Sequence, residues 1–174
     1  GVVSDDPVFA PPDLGLLFTL PGKAWFRAMV NVAGTLNLDW AIDTILGEAQ
    51  RDAALFERLD AMVSAVPVGS DGVVYLPYLS DSGIIAPVFD QQARAGFSGL
   101  TPRHGRSHMM RAVYEGVMLA VRDLIQHLPP VEGDILLTGG GANSRVWTQM
   151  LADALGRPVA VPAGSEFGAR GAAL

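Results

Sequence analysis

A chain of 174 residues, 49% hydrophobic and 17% charged, is long enough to close a full core, since chains near ~150 residues bury roughly 68–70% of their unfolded surface. Its net charge of −6 opposes nucleic acid, whose phosphates it would repel. With no cysteine it builds neither disulfides nor thiolate metal sites, which fits a cytoplasmic enzyme, and no apolar run nears the ~20 residues that span a bilayer. Neither nucleic acid nor membrane is therefore expected as a partner.

Leu16 to Leu20 and Trp25 to Val32 read as two strands joined across the turn signal Pro21-Gly22-Lys23. The period then lengthens. Leu38, Ile42, Ile45, Leu46 and Ala49 share one helical face, and Leu55, Leu59, Met62, Val63 and Val66 share a second, stopped by Pro67. Gly72 to Leu76 predicts a short strand, and the polar stretch from Ser80 to Ala95 predicts a long surface loop of the kind that is usually functional or disordered. Met110, Val113, Tyr114, Val117, Val121, Leu124 and Leu128 give a long helical stripe that Pro129-Pro130 ends.

Beyond it, Ile135-Leu136-Leu137 and Val159-Ala160-Val161 are continuous apolar runs and predict strands buried on both faces. Between them lies the stripe Trp147, Met150, Leu151, Ala154 and Leu155, closed by Gly156 and Pro158. This alternation predicts one α/β domain with parallel pairing in its second half. Gly1 opens the chain with neither Met nor leader, and the helix after Ser165 stops without a cap; both ends read as those of a segment of a longer protein.

The sharpest chemical signal is Leu137-Thr138-Gly139-Gly140-Gly141-Ala142-Asn143-Ser144. A strand runs into three glycines with a helix behind them. Glycine lets a backbone approach a bulky ligand, and a helix start offers unpaired N–H groups and a partial positive charge. In an acidic chain, such N–H groups and a metal ion would hold a phosphate better than a basic patch. The same residues also suit a tight strand-to-helix turn with Asn143 or Ser144 as N-cap. A dinucleotide fingerprint is disfavoured: the third glycine is missing, and Val161-Pro162-Ala163 stands where an acidic residue is required.

Ala95-Gly96-Phe97-Ser98-Gly99-Leu100, followed after seven residues by His108-Met109-Met110-Arg111-Ala112-Val113-Tyr114-Glu115, resembles the C-terminal signature of the FGGY carbohydrate kinases at every specified position. The glycine turn is similar to that family's adenosine motif, with Gly140, Gly141 and Ser144 in matching places and Trp147 to Asp153 continuing it. Glu166 to Ala173 looks like the family's last Gly/Ala helix, and Pro77-Tyr78-Leu79 and Phe89 to Arg94 look like its central loop. One departure is Gly83-Ile84-Ile85-Ala86-Pro87, where many members read Gly-Glu-Arg before the proline; it weakens assignment to any subfamily.

The resemblance implies an actin-like, RNase H-like ATPase domain. Residues 1–174 would be a single domain, the C-terminal half of a two-domain sugar kinase whose N-terminal sugar-binding domain is absent from the chain. It implies transfer of a phosphoryl group from ATP, with Mg²⁺, to a hydroxyl of a sugar or polyol. Gly139, Gly140, Gly141, Ala142, Asn143 and Ser144 would hold the adenosine side, with Gly34 near the first helix. The aspartate base, the first phosphate loop and the sugar contacts lie in the missing domain, so no catalytic residue is expected here and the segment alone should be inactive. The resemblance leaves a homodimer open. A reading from another class is a non-enzymatic actin-like switch, distinguished by ATP turnover that does not respond to sugar.

Other candidates have plainer roles. His108 and Glu115, seven apart on one helical face, read as an acid–base pair or as partners that orient a loop, and no chemistry is assigned to them. Trp25, Trp40 and Trp147 read as core anchors, and Arg103, Arg106 and Arg111 as a solvated face. His104 has no assignment.

Overall fold

The computed structural model describes residues 1–48, 50–130 and 133–172. Strands β1 (Val2–Ser4), β2 (Leu16–Thr19) and β3 (Trp25–Ala28) form an antiparallel sheet in the order β1-β3-β2. β2 and β3 make the expected hairpin, with Leu16 opposite Ala28 and Thr19 opposite Trp25. Pairing runs out at Ala28, so the strand expected to reach Val32 stops there. Asn31 then helps turn the chain, its side-chain oxygen accepting the Ala33 N–H at 3.2 Å.

Helix α1 (Leu36–Ala41) widens into a π turn, Ile42–Leu46, that ends at Gly47. Leu38, Ile42, Ile45 and Leu46 face the core as their spacing predicts, while Ala49 lies outside the described residues. Helix α2 (Ala53–Ser64) starts at Asp52, whose carboxylate accepts the Leu55 N–H at 2.8 Å. It buries Leu55, Leu59 and Val63 and ends ahead of Pro67.

Strands β4 (Val74–Leu76) and β5 (Gly96–Ser98) pair antiparallel. β4 begins later than expected because Ser70–Gly72 forms a 3-10 turn. The sequence predicts no strand at β5: three residues opening on glycine carry no period, and only the partner strand orders them. The stretch from 80 to 95 has no regular element, as expected, yet it is not all surface. Gly83 and Ala86 are buried, and Ile84 and Asp90 exchange backbone hydrogen bonds at 2.8 and 2.9 Å.

Helix α3 (Arg106–Gln126) follows, then β6 (Ile135–Leu136), α4 (Arg145–Leu155), β7 (Val159–Ala160) and α5 (Phe167–Ala172). β6 and β7 pair in parallel, as the alternation predicts. Burial on both faces, however, is not what the structure has. Leu137 and Val159 pack against the core, whereas Leu136 is 65% and Val161 48% exposed. Alternation turns Leu136 away from the one covered face of the ribbon, and Val161 lies past the end of β7. Among the described residues no helix is long and apolar enough to cross a membrane.

α3 is the axis of the core: α1, α2, α4 and β4 all pack on it. From Met110 to Met118 it is buried on nearly every side. β4 comes so close that a β-carbon on Gly116 would lie 2.4 Å from the Tyr75 carbonyl oxygen. Helix propensity alone favours alanine over glycine by about 1 kcal/mol, so Gly116→Ala tests which effect wins. The expected result is a loss of about 1–3 kcal/mol in urea unfolding, the usual range for overpacking; a gain would mean that α3 and β4 are not in such close contact.

Candidate nucleotide-binding site

Past β6 the chain reaches Gly139 at φ 88° and ψ −171°, a region that essentially only glycine occupies. Gly140–Asn143 form one 3-10 turn, and α4 starts after Ser144, so the helix opens one short turn later than the glycines suggest. Ser144, one of the two expected caps, takes that place: its Oγ accepts the Trp147 N–H at 3.0 Å. Its hydroxyl proton goes to Asp60 Oδ1 on α2, at 2.7 Å. Sequence reasoning missed Asp60, since no motif surrounds it and the partner is 84 residues away.

Two cavities flank Gly140. One, of about 460 Å³, opens where β6 and β7 end and α5 begins, among Leu137, Val161, Pro162 and Phe167. The other, of about 340 Å³, is walled by Thr35, Leu38, Phe56, Tyr114 and Trp147. Gly140 and Asn143 line both, Gly139 and Ala142 the first, and Gly141 and Ser144 the second. Gly34 lines neither, although its neighbour Thr35 does. Among the described residues that line these cavities none is basic, and Asp39 and Glu166 are acidic.

The loop at Gly34 is held by a fully buried amide. Asn37 Nδ2 donates to the carbonyls of Ala33 at 2.7 Å, Gly34 at 3.3 Å and Pro77 at 3.1 Å, and Asn37 Oδ1 accepts the Tyr75 hydroxyl at 2.8 Å. Burial pushes the Tyr75 phenol up to about 12, so it remains a donor near neutral pH.

The glycines of the turn serve different ends. A β-carbon on Gly141 would lie 2.7 Å from the indole nitrogen of Trp147, a buried ring against which Tyr114 packs edge-on at 5.0 Å. A β-carbon on Gly140 would meet no atom within 4 Å. Gly141 therefore seats the indole, while Gly140 keeps the space between the cavities open. Burial, and after it the charge of Asp60, raises the Tyr114 phenol above the ordinary tyrosine range.

The model of the C-terminal domain of the FGGY family of carbohydrate kinases matches residues 1–174. The chain belongs to this family. It is 32% identical over 154 residues to erythritol kinase of Brucella abortus (strain 2308), covering 85% of this chain and 29% of that one. With gluconokinase of Bacillus subtilis (strain 168) it shares 35% identity over 166 residues, 90% of this chain and 32% of the relative. Xylulose kinase from Rhodospirillum rubrum superposes with a TM-score of 0.71 at 31% identity, over 92% of this chain and 32% of that one. The chain spans about a third of the length of the relatives it matches. Its fold is the α/β, actin-like fold of these sugar kinases.

In this FGGY domain the signature residues of α3 grip a turn rather than line the cavities at Gly140. Ser70 and Asp71 sit at φ 51° and 53°, conformations that non-glycine residues adopt at a cost of about 1–3 kcal/mol. Glu115 accepts the Gly69 N–H at 2.9 Å and the Ser70 hydroxyl at 3.0 Å. His108 Nε2 lies 3.3 Å from the Asp71 carboxylate, and its Nδ1 accepts the Gly105 N–H at 3.1 Å. Of the two readings of this pair, loop orientation is the one the geometry supports.

Arg103 and Arg106 are exposed as expected, but Arg111 is not. It is buried, donating to Glu115 at 2.8 Å and to the Val63 carbonyl at 3.0 Å, because its side of α3 faces the end of α2. Trp147 is buried in the core and Trp40 stacks on Tyr75 at its edge, as anchors should, while Trp25 is half-buried in the first sheet. His104 accepts the Thr101 N–H at 2.9 Å and caps its own turn.

The unequal roles of the glycines predict unequal stability effects. Gly141→Ala should cost about 1–3 kcal/mol by displacing a buried indole, whereas Gly140→Ala should stay within about 0.5 kcal/mol of the parent. Thermal melts of the two variants side by side check this; equal stabilities would contradict the packing at Trp147.

Proposed function

We propose that this chain supplies the nucleotide-holding half of the cleft of an ATP-dependent carbohydrate kinase. Residues 1–174 act as one domain, and Gly139, Gly140, Gly141, Ala142, Asn143, Ser144 and the Gly34 loop face the nucleotide. The observation that carries this is the bare backbone at Gly140, which divides two cavities and has nothing within 4 Å of where a side chain would begin. The first N–H groups of the turn have no partner within it and can donate to phosphate oxygens. Phe56, Trp147 and Tyr114 offer apolar walls to a base. With no basic side chain among the described lining residues, N–H dipoles are the donors best placed for an anion.

ATP supplies the transferred group. Mg²⁺ would travel on its phosphates, since magnesium in such enzymes is held by substrate phosphates and water with one or two carboxylates. The relatives are named for erythritol, gluconate and xylulose, so the acceptor is a hydroxyl of a polyol, sugar or sugar acid, contacted mainly by protein outside these residues. Phosphoryl transfer depends on positioning and charge stabilisation, and a cleft that closes can hold each reactant on a separate domain and exclude water. This half binds and aligns the nucleotide and carries no proton-transfer role.

Gly140→Val in the full-length protein tests the assignment. It should abolish measurable ATP binding by calorimetry while leaving the melting temperature close to that of the parent, because the branched side chain grows into ligand space from a β-carbon position that no protein atom crowds. Unchanged ATP affinity would overturn the site.

The division of labour has its own test, a coupled ADP-release assay with erythritol, gluconate and xylulose. The 174-residue segment alone should show no acceptor-dependent turnover, since general-base help worth ~10²–10⁴-fold and alignment of two reactants worth ~7–11 kcal/mol would both be lost. Acceptor-dependent turnover by the segment would place the base inside it.

A further inference from the structure

α2 bears on the glycine turn in two ways. Phe56 walls the 340 Å³ cavity opposite Gly140 and Gly141, and Asp60, one turn further on, accepts the Ser144 hydroxyl at 2.7 Å. A serine hydroxyl has a single proton. Committing it to Asp60 leaves the oxygen lone pairs for the Trp147 N–H at 3.0 Å, so the carboxylate fixes the rotamer in which Ser144 caps α4. From Ser144 the constraint passes back along the turn, because the Ser144 N–H donates to the Gly141 carbonyl at 3.3 Å and the Ala142 N–H to the Gly139 carbonyl at 3.1 Å. It also passes forward, since the Ser144 carbonyl accepts from both the Thr148 N–H at 3.1 Å and the Thr148 hydroxyl at 2.9 Å. The half-buried carboxylate further sits at the positive end of α4.

We propose that Asp60 is a positioning residue for the nucleotide: by orienting Ser144 it sets the Gly139–Asn143 backbone and keeps Phe56 at a fixed distance across the cavity. This rests on the nucleotide reading of that turn. Asp60 itself touches no reactant. Its acceptor oxygen places the cap, and the cap places the N–H groups that meet the phosphates. The Asp60–Ser144 bond thus joins two elements that the sequence separates, and the width of the cavity depends on it.

The test is ADP calorimetry on the full-length protein at a temperature where circular dichroism shows each variant fully folded. Asp60→Ala should weaken ADP binding about five- to tenfold, the effect of losing one hydrogen bond of ordinary strength. Ser144→Ala should weaken it similarly, and the double variant no more than the weaker-binding single one, because both remove the same bond. Asp60→Asn retains an acceptor oxygen and should recover most of the affinity; together with Ser144→Ala it carries the test if Asp60→Ala does not fold. Unchanged or tighter ADP binding in Asp60→Ala, or losses that add in the double variant, would overturn the role of Asp60 while Gly140→Val still abolished binding. If Gly140→Val also left binding unchanged, the nucleotide reading itself would fall and the proposal with it.

Discussion

The domain is organised by the contact of a bare stretch of helix backbone with a strand, Gly116 of α3 against the carbonyl of Tyr75 in β4. With no side chain between them, α3 and β4 settle at a distance that lets the buried residues on either side of Gly116 reach separate neighbours. Tyr114 packs on Trp147 and thereby backs the glycine turn. Glu115 reaches the other way and holds the turn at Gly69 and Ser70 that leads into β4. Tyr75, on the strand itself, passes the order onward through Asn37 to the loop at Gly34. Three consecutive helical positions point in three directions, as a period of ~3.6 residues requires, and each secures a different neighbour.

The electrostatics of the site follow from what it lacks. A chain of net charge −6 has no basic side chain among the described residues lining either cavity, and two carboxylates stand at their rims. In the proposed reading, an anionic ligand there would be met by main-chain dipoles. These are weaker than a lysine one by one, but they are fixed in direction, and a cap such as Ser144 determines where they point. Most ionic contacts of the α3 signature serve the same end at a distance. They hold a strained turn in place so that β4, and with it the Asn37 network, has one position.

The family likeness and the fold agree that this chain is a C-terminal domain of the FGGY carbohydrate kinase family. FGGY relatives about three times as long bear the names of kinases of erythritol, gluconate and xylulose, and in the proposed reading the cavities at Gly140 take the nucleotide. Variation of the acceptor and constancy of the donor are compatible when the two are held by different parts of a protein.

Much of this was readable in advance. The helical stripes over α2, α3 and α4, the hairpin at Pro21–Lys23, the parallel strand pair and the glycine turn at 139–141 all announce themselves locally, because amphipathic period, proline and glycine act within a few residues. The departures came from partners. β5 exists because β4 pairs with it; Leu136 is exposed because the ribbon has one covered face, and Val161 lies past the end of β7; Arg111 is buried because the end of α2 lies against it. The Asp60–Ser144 bond and the separate duties of Gly140 and Gly141 were equally invisible, since adjacent glycines look alike until one is found against an indole and the other against open space. Sequence determined which segments could form and which could approach a ligand; tertiary structure alone decided which faces met, because that choice depends on side chains many residues apart packing into one volume.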